Sequence, residues 1–309
     1  MSQLFEGFSR ATIRQSQPDI APLEIVPAEL VSPEPPETAE LGGVANSQGA
    51  GIAGTVEIKR GVESDKTRTM MAQPASTARL VAWSEPNSLG AEKFRALAVR
   101  LDVMRRKHEL KSLQVTSSVI NEGKSFVASN LAVTLAKYSG SKTLLIEGDL
   151  HRPTLASMFG LKDLHGLSDW WAGRNQDLAQ FLVRLTGTPL YFLPAGKGCD
   201  RPSEILRSAQ LAEAFAQLAG RFDWIVVDST PMLPVIDANL WSRLVDGTLL
   251  VVREGVAPLK ALKNGLQSLD HPNLIGVVVN EASEFDQVDY HGQYYGARKH
   301  GDKSSKNGR

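Results

Sequence analysis

Beyond Leu80 the apolar positions follow two patterns. Phe94, Leu97, Leu101 and Met104 recur every three or four residues, which predicts one buried helix face. Helices are also predicted over 125–138, with Phe126, Leu131 and Leu135 turned inward, and over 209–219, 235–244 and 258–269. Between them lie short runs that are apolar almost throughout: 113–116, 142–147, 189–194, 224–228, 247–252 and 274–279. Strands that are apolar on both faces and alternate with helices predict an α/β fold of three layers, a mostly parallel sheet covered on each side.

Residues 1–79 do not share this pattern. They hold seven of the 16 prolines but two of the 20 aromatic residues, Phe5 and Phe8. From Gln15 to Ile58 there are seven acids and no Lys or Arg, and 41–56 is an uncharged Gly/Ala-rich stretch. Such a segment buries too little apolar surface to offset its chain entropy, so 1–79 is expected to be a disordered N-terminal segment. Within it, Leu4, Phe5, Phe8 and Ile13 fit one face of a short docking helix over 3–14. The folded domain is expected over 80–287. The last 22 residues, 288–309, carry five Lys/Arg against two Asp and read as a flexible tail.

Composition narrows the chemistry. Of 309 residues, 34 are basic and 34 acidic, so the chain lacks the global positive charge of a nucleic-acid binder. The one cysteine, Cys199, excludes an internal disulfide and a Cys-based zinc cage. No run of 18 apolar residues occurs, and the N-terminus has no secretory h-region, so a cytoplasmic location is expected.

The strongest chemical signal is Thr116-Ser-Ser-Val-Ile-Asn-Glu-Gly-Lys-Ser125, between a predicted strand and a predicted helix. That is the context of a phosphate-binding loop, in which consecutive backbone N–H groups and a helix N-terminus cradle an anion. Ser118, Val119, Ile120, Asn121, Glu122, Gly123, Lys124, Ser125 and Phe126 form the expected nucleotide-binding segment. Lys124 would reach the β- and γ-phosphates and Ser125 would place its hydroxyl on Mg²⁺. The full G-x-x-x-x-G-K-[ST] pattern is not met, because Ser118 stands at the first glycine position. Two strand ends add acids: Glu147 and Asp149 after LLI, and Asp228 after IVV. Ligands of parallel sheets bind at such carboxyl ends, and a nucleotide-bound Mg²⁺ is the natural partner for Asp149 and Asp228 there.

Taken together, these motifs resemble the bacterial tyrosine kinase (BY-kinase) family of exopolysaccharide and capsule systems, P-loop NTPases related to the MinD/ParA-type ATPases. Glu122-Gly123-Lys124-Ser125 matches the end of its Walker A loop, Leu144 to Pro153 its A′ motif, and Ile225 to Pro231 its Walker B motif. The resemblance covers about residue 84 to the C-terminus. It implies transfer of the ATP γ-phosphate to C-terminal tyrosines, here Tyr290, Tyr294 and Tyr295. Lys124, Glu147, Asp149 and Asp228 would be catalytic, with Glu147 orienting or deprotonating the phenol. Ser125, Asp149 and Asp228 would hold Mg²⁺, and Asn280 would contact the adenine. Glu92 and Arg95 would build a homo-oligomer interface. The implied partners are a separate transmembrane polysaccharide co-polymerase that activates the kinase and holds it at the inner membrane, and a cognate tyrosine phosphatase.

The chain also departs from the pattern. Glu147 replaces an Asp, His151 an Arg, Ile120-Asn121 a Pro-Gly and Thr230 a Pro, and Ala98 stands at the third oligomer position. These changes leave open a pseudokinase, or a MinD/ParA-like ATPase acting as a nucleotide-dependent assembly switch. Against the latter, Val119 stands where the deviant Walker loop carries its signature Lys.

Overall fold

The structure is a computed structural model that describes the backbone of residues 24–27 and residues 67–173, 177–269 and 273–281 in full. Among the described residues nine strands form one sheet: β1 (Glu24–Pro27), β2 (Arg68–Met70), β3 (Ser112–Ser117), β4 (Thr143–Glu147), β5 (Val183–Leu185), β6 (Leu190–Leu193), β7 (Trp224–Asp228), β8 (Gly247–Arg253) and β9 (Leu274–Asn280). Their order is β1-β9-β8-β3-β7-β4-β6-β5-β2, parallel except for β1 against β9 and β5 against β6. The described helices are α1 (Val81–Ser84), α2 (Leu89–Lys107), α3 (Lys124–Lys137), α4 (Leu155–Met158), α5 (Leu167–Gly173), α6 (Pro202–Leu206), α7 (Ala209–Ala219), α8 (Asp237–Ser242) and α9 (Leu259–Ser268).

The apolar strands alternate their side chains between two cores. Leu113, Val115, Leu145, Val226 and Val251 pack against α2 and α3 on one face. Leu144, Ile146, Ile225 and Val227 pack with Leu211, Phe215 and Trp241 on the other. Residues buried on both faces of a parallel sheet account for the unbroken apolar runs. The face of α2 expected from its periodicity is present: Phe94, Leu97 and Leu101 are buried, and Phe94 meets Phe126 of α3 edge-on at 5.6 Å. Leu131 and Leu135 of α3 are fully buried.

Two described strands lie in the segment expected to be disordered. Arg68–Met70 pairs in parallel with β5, and just after it Gln73 N–H donates to Phe159 O at 2.9 Å. A three-residue strand carries no period to read. Strand β1 likewise falls within the segment expected to be unfolded. The docking helix over 3–14, the tail from 288 and its tyrosines lie outside the described residues.

Candidate functional site

The site lies at the carboxyl ends of β3, β4 and β7, where parallel strands bring three loops together. After β3 the chain turns through Ser118–Gly123 and enters α3. Gly123 is the N-cap at φ +96°, a left-handed conformation that glycine adopts freely, and a Cβ there would lie 2.1 Å from Asn280 Nδ2. The first-turn N–H groups of α3 have no acceptor within the helix, so they face the loop's concavity.

Lys124 opens α3 and points across the strand ends. Its Nζ is 2.9 Å from Asp149 Oδ2, 3.7 Å from Asp228 Oδ1 and 3.3 Å from Ser125 Oγ. Burial disfavours the ammonium, but Asp228 and Asp149 outweigh it and hold the Lys124 pKa above its ordinary value. Asp228 ends β7 and is 1% exposed. Burial pushes its pKa up to about 6, against the opposing pull of Lys124 and the Ser125 hydrogen bond. Its Oδ1 is buried without a hydrogen-bond donor. Asp149 is held by Arg152 N–H, which donates to Oδ1 at 2.9 Å. Between the two A′ acids, a Cβ on Gly148 would lie 2.7 Å from Val227 Cγ1 and 3.0 Å from Asp228 O, so only glycine lets β4 run this close to β7.

The Ser125 hydroxyl, the Asp149 and Asp228 carboxylates and the undonated Asp228 Oδ1 suit Mg²⁺. That ion takes few protein oxygens and completes its shell with phosphate and water. The Lys124 ammonium lies between the same two acids.

The other expected residues fall into different places. Glu147 is buried beside Asp228, but both its oxygens are engaged. Oε1 accepts from Leu155 N–H at 2.6 Å and Ala156 N–H at 3.3 Å, and Oε2 from Ala195 N–H at 3.1 Å. Burial raises its pKa, against the pull of these donors. Glu147, expected to orient or deprotonate an incoming phenol, has its carboxylate against the backbone at the start of α4 and just past β6.

Glu122 also turns inward, with its carboxylate fully buried. Its backbone borders the loop, but its side chain faces Ser118, Val119 and β8. Asn280, expected at the adenine, donates from Nδ2 to Glu122 O at 2.9 Å. Ile120 is half exposed at the loop tip. Asn121 has φ +66°, and Phe126 packs on the core at Phe94. Arg95 is bound within its own chain: Nε donates to Glu92 Oε2 at 3.0 Å, Nη1 to Pro86 O at 2.7 Å, and the guanidinium stacks over Tyr138. Glu92 stays largely exposed.

In the sequence Asp237 stands out only as a family landmark, with no role at the site. Its buried carboxylate bonds His151 Nε2 at 3.0 Å. Burial raises its pKa, with His151 pulling it down. The signal was the His at an A′ position where the pattern has Arg. Among the described residues no helix is long and apolar enough to cross a membrane.

No protein-family model matches the chain. The chain is similar to CapB of Staphylococcus aureus, which bears the name of a tyrosine-protein kinase: 32% identity over 229 residues, 73% of this chain and 97% of CapB. It is equally similar, at 32% over 227 residues, to the succinoglycan biosynthesis transport protein ExoP of Rhizobium meliloti, matching 70% of this chain but 28% of ExoP. Among solved structures it resembles the BceF tyrosine kinase domain, with a TM-score of 0.60 and 27% identity over 68% of this chain and 91% of that one.

Proposed function

Because the chain belongs to the bacterial tyrosine kinase family, whose members are protein-tyrosine kinases, we propose that it transfers the γ-phosphate of ATP to tyrosines of its own C-terminal tail within an exopolysaccharide or capsule system. The observation that carries this reading is the Lys124 ammonium between Asp149 and Asp228 at the head of a strand–loop–helix unit. In the reaction a bond forms between the tyrosine Oη and the γ-phosphorus, the bond from that phosphorus to the bridging oxygen breaks, and ADP leaves. The work of such a site is positioning and charge neutralisation.

In this reading the loop amides and Lys124 bind the phosphates, and Lys124 leaves the two acids when it does so. Ser125, Asp149 and Asp228 would hold Mg²⁺, which would supply charge neutralisation to the phosphates. The phenolic proton departs late in a loose transition state, so no strong base is required. Glu147 is committed to backbone donors, so in this reading that proton passes to solvent. Tyr290, Tyr294 and Tyr295 are the proposed acceptors, in a homo-oligomer that presents one copy's tail to another. A transmembrane co-polymerase as activator and a cognate phosphatase complete the proposed system.

One observation favours a second reading. With Glu147 occupied, the chain could bind nucleotide and assemble without phosphorylating. Mass spectrometry after incubation with Mg·ATP and the co-expressed membrane partner separates the two. Phosphate on Tyr290, Tyr294 or Tyr295 that disappears in Lys124→Ala supports the kinase. Unmodified tyrosines beside measurable ATP binding support the assembly switch.

A further inference from the structure

The loop has one feature that phosphate chemistry does not explain: a buried carboxylate in a site built to hold anions. We propose that Glu122 is a positioning residue that fixes the phosphate loop in its binding shape before nucleotide arrives. The inference rests on the loop being the nucleotide site.

Four contacts carry it. Glu122 Oε2 accepts from Ser118 Oγ and from Val119 N–H, each at 2.8 Å. Oε1 accepts from Arg253 N–H at the end of β8, at 3.3 Å. The Glu122 carbonyl accepts from Asn280 Nδ2 at the end of β9, at 2.9 Å. One residue thus ties the start of the loop to two neighbouring strands. Gly123, the next residue, has room only for hydrogen where Asn280 approaches.

The chemistry of these contacts selects a carboxylate. Every group that meets the two side-chain oxygens is a donor. A glutamine offers one oxygen and one NH₂, so one of its ends always meets a donor with a donor. The arrangement also accounts for Ser118 at the first glycine position. Its hydroxyl is the outer end of the strut, so a side chain there serves the loop instead of obstructing it. Val119 N–H is consumed by the strut, so the amides left for phosphate lie further along, toward the start of α3. The carboxylate is directed at these internal donors, which keeps it off the anion.

The test is Glu122→Gln in the full-length chain, with Ser118→Ala and Lys124→Ala beside it. The dissociation constant for Mg·ATP is measured by calorimetry, together with kcat, KM and the far-ultraviolet circular dichroism. A misformed loop weakens binding, so Kd and KM should rise about tenfold in Glu122→Gln while kcat at saturation stays within about threefold. Ser118→Ala removes one donor and should raise Kd about threefold. The double variant should bind no worse than Glu122→Gln, because both act through one strut. A folded Glu122→Gln protein with Kd within twofold of wild type would overturn the proposal. If Glu122→Gln does not fold, Ser118→Ala decides: an unchanged Kd overturns it and a raised Kd supports it. If Lys124→Ala also leaves Kd unchanged, the nucleotide-site reading itself fails.

Discussion

Replacing Asp228 by Asn should stabilise the nucleotide-free protein while removing its activity. Asp228 is 1% exposed and its Oδ1 has no hydrogen-bond donor, so its charge is held at a cost that Lys124, 3.7 Å away, offsets only in part. The size of that cost follows from its folded pKa of about 6 against an ordinary 3.8. A difference of roughly two units, at 1.36 kcal/mol each, is about 3 kcal/mol. Because the folded pKa is raised, the penalty is complete above pH 6, declines as pH falls through 6, and is gone below the unfolded value. Asn carries no charge and avoids it. The pull of Lys124, 3.7 Å from Oδ1, is already contained in that folded pKa, so its loss in the variant takes nothing further from the gain. Urea unfolding of both proteins without nucleotide or Mg²⁺ should therefore favour Asp228→Asn by about 1–3 kcal/mol at pH 8. The gap should close toward zero near pH 4. An Asp228→Asn protein less stable than wild type at pH 8, or a gap that does not change with pH, refutes the reasoning.

Two further outcomes follow from neighbouring contacts. Glu147→Asp, which family resemblance alone would expect to speed transfer, should instead pull the carboxylate off Leu155 and Ala195 N–H. It should cost about 1–3 kcal/mol in urea unfolding and give no faster tyrosine labelling in phosphate-incorporation assays. Glu92→Arg breaks an exposed pair with Arg95 and should change stability by less than about 1 kcal/mol. If Glu92 lies at a subunit interface, that same variant should sediment more slowly in analytical ultracentrifugation, and an unchanged coefficient removes it from the interface.

The frame of the molecule was legible because it depends on runs and periods. β7 and α7 match their predicted bounds, and β3, β4, β6, β8 and β9 fall within about a residue of theirs. The three-residue strands β2 and β5 were not legible, since neither is long enough to show alternation. At the site, the positions of Lys124, Asp149 and Asp228 followed from the motifs at strand ends. The directions of the Glu122 and Glu147 side chains did not. Each combines near donors, Ser118 and Val119 for one and Leu155 for the other, with a donor far along the chain, Arg253 N–H and Ala195 N–H respectively. Motif spacing records which residue stands at a turn, whereas the partners that rotate its side chain belong to the tertiary fold.

Helix α3 is buried without interruption from Val127 to Ala136. A helix sunk between a sheet and a second helix does not open alone; its amides exchange with solvent only when the whole domain does. The phosphate loop is the direct extension of that helix. Nucleotide bound at its head therefore acts on one of the deeply buried elements among the described residues. Occupancy at a hundredfold excess over Kd would add about 2.7 kcal/mol to the free energy of that opening. Slowed exchange should then appear along the central strands β3, β7 and β8 and not only at the loop, so a ligand at one end of the sheet sets the rate at which the entire core breathes.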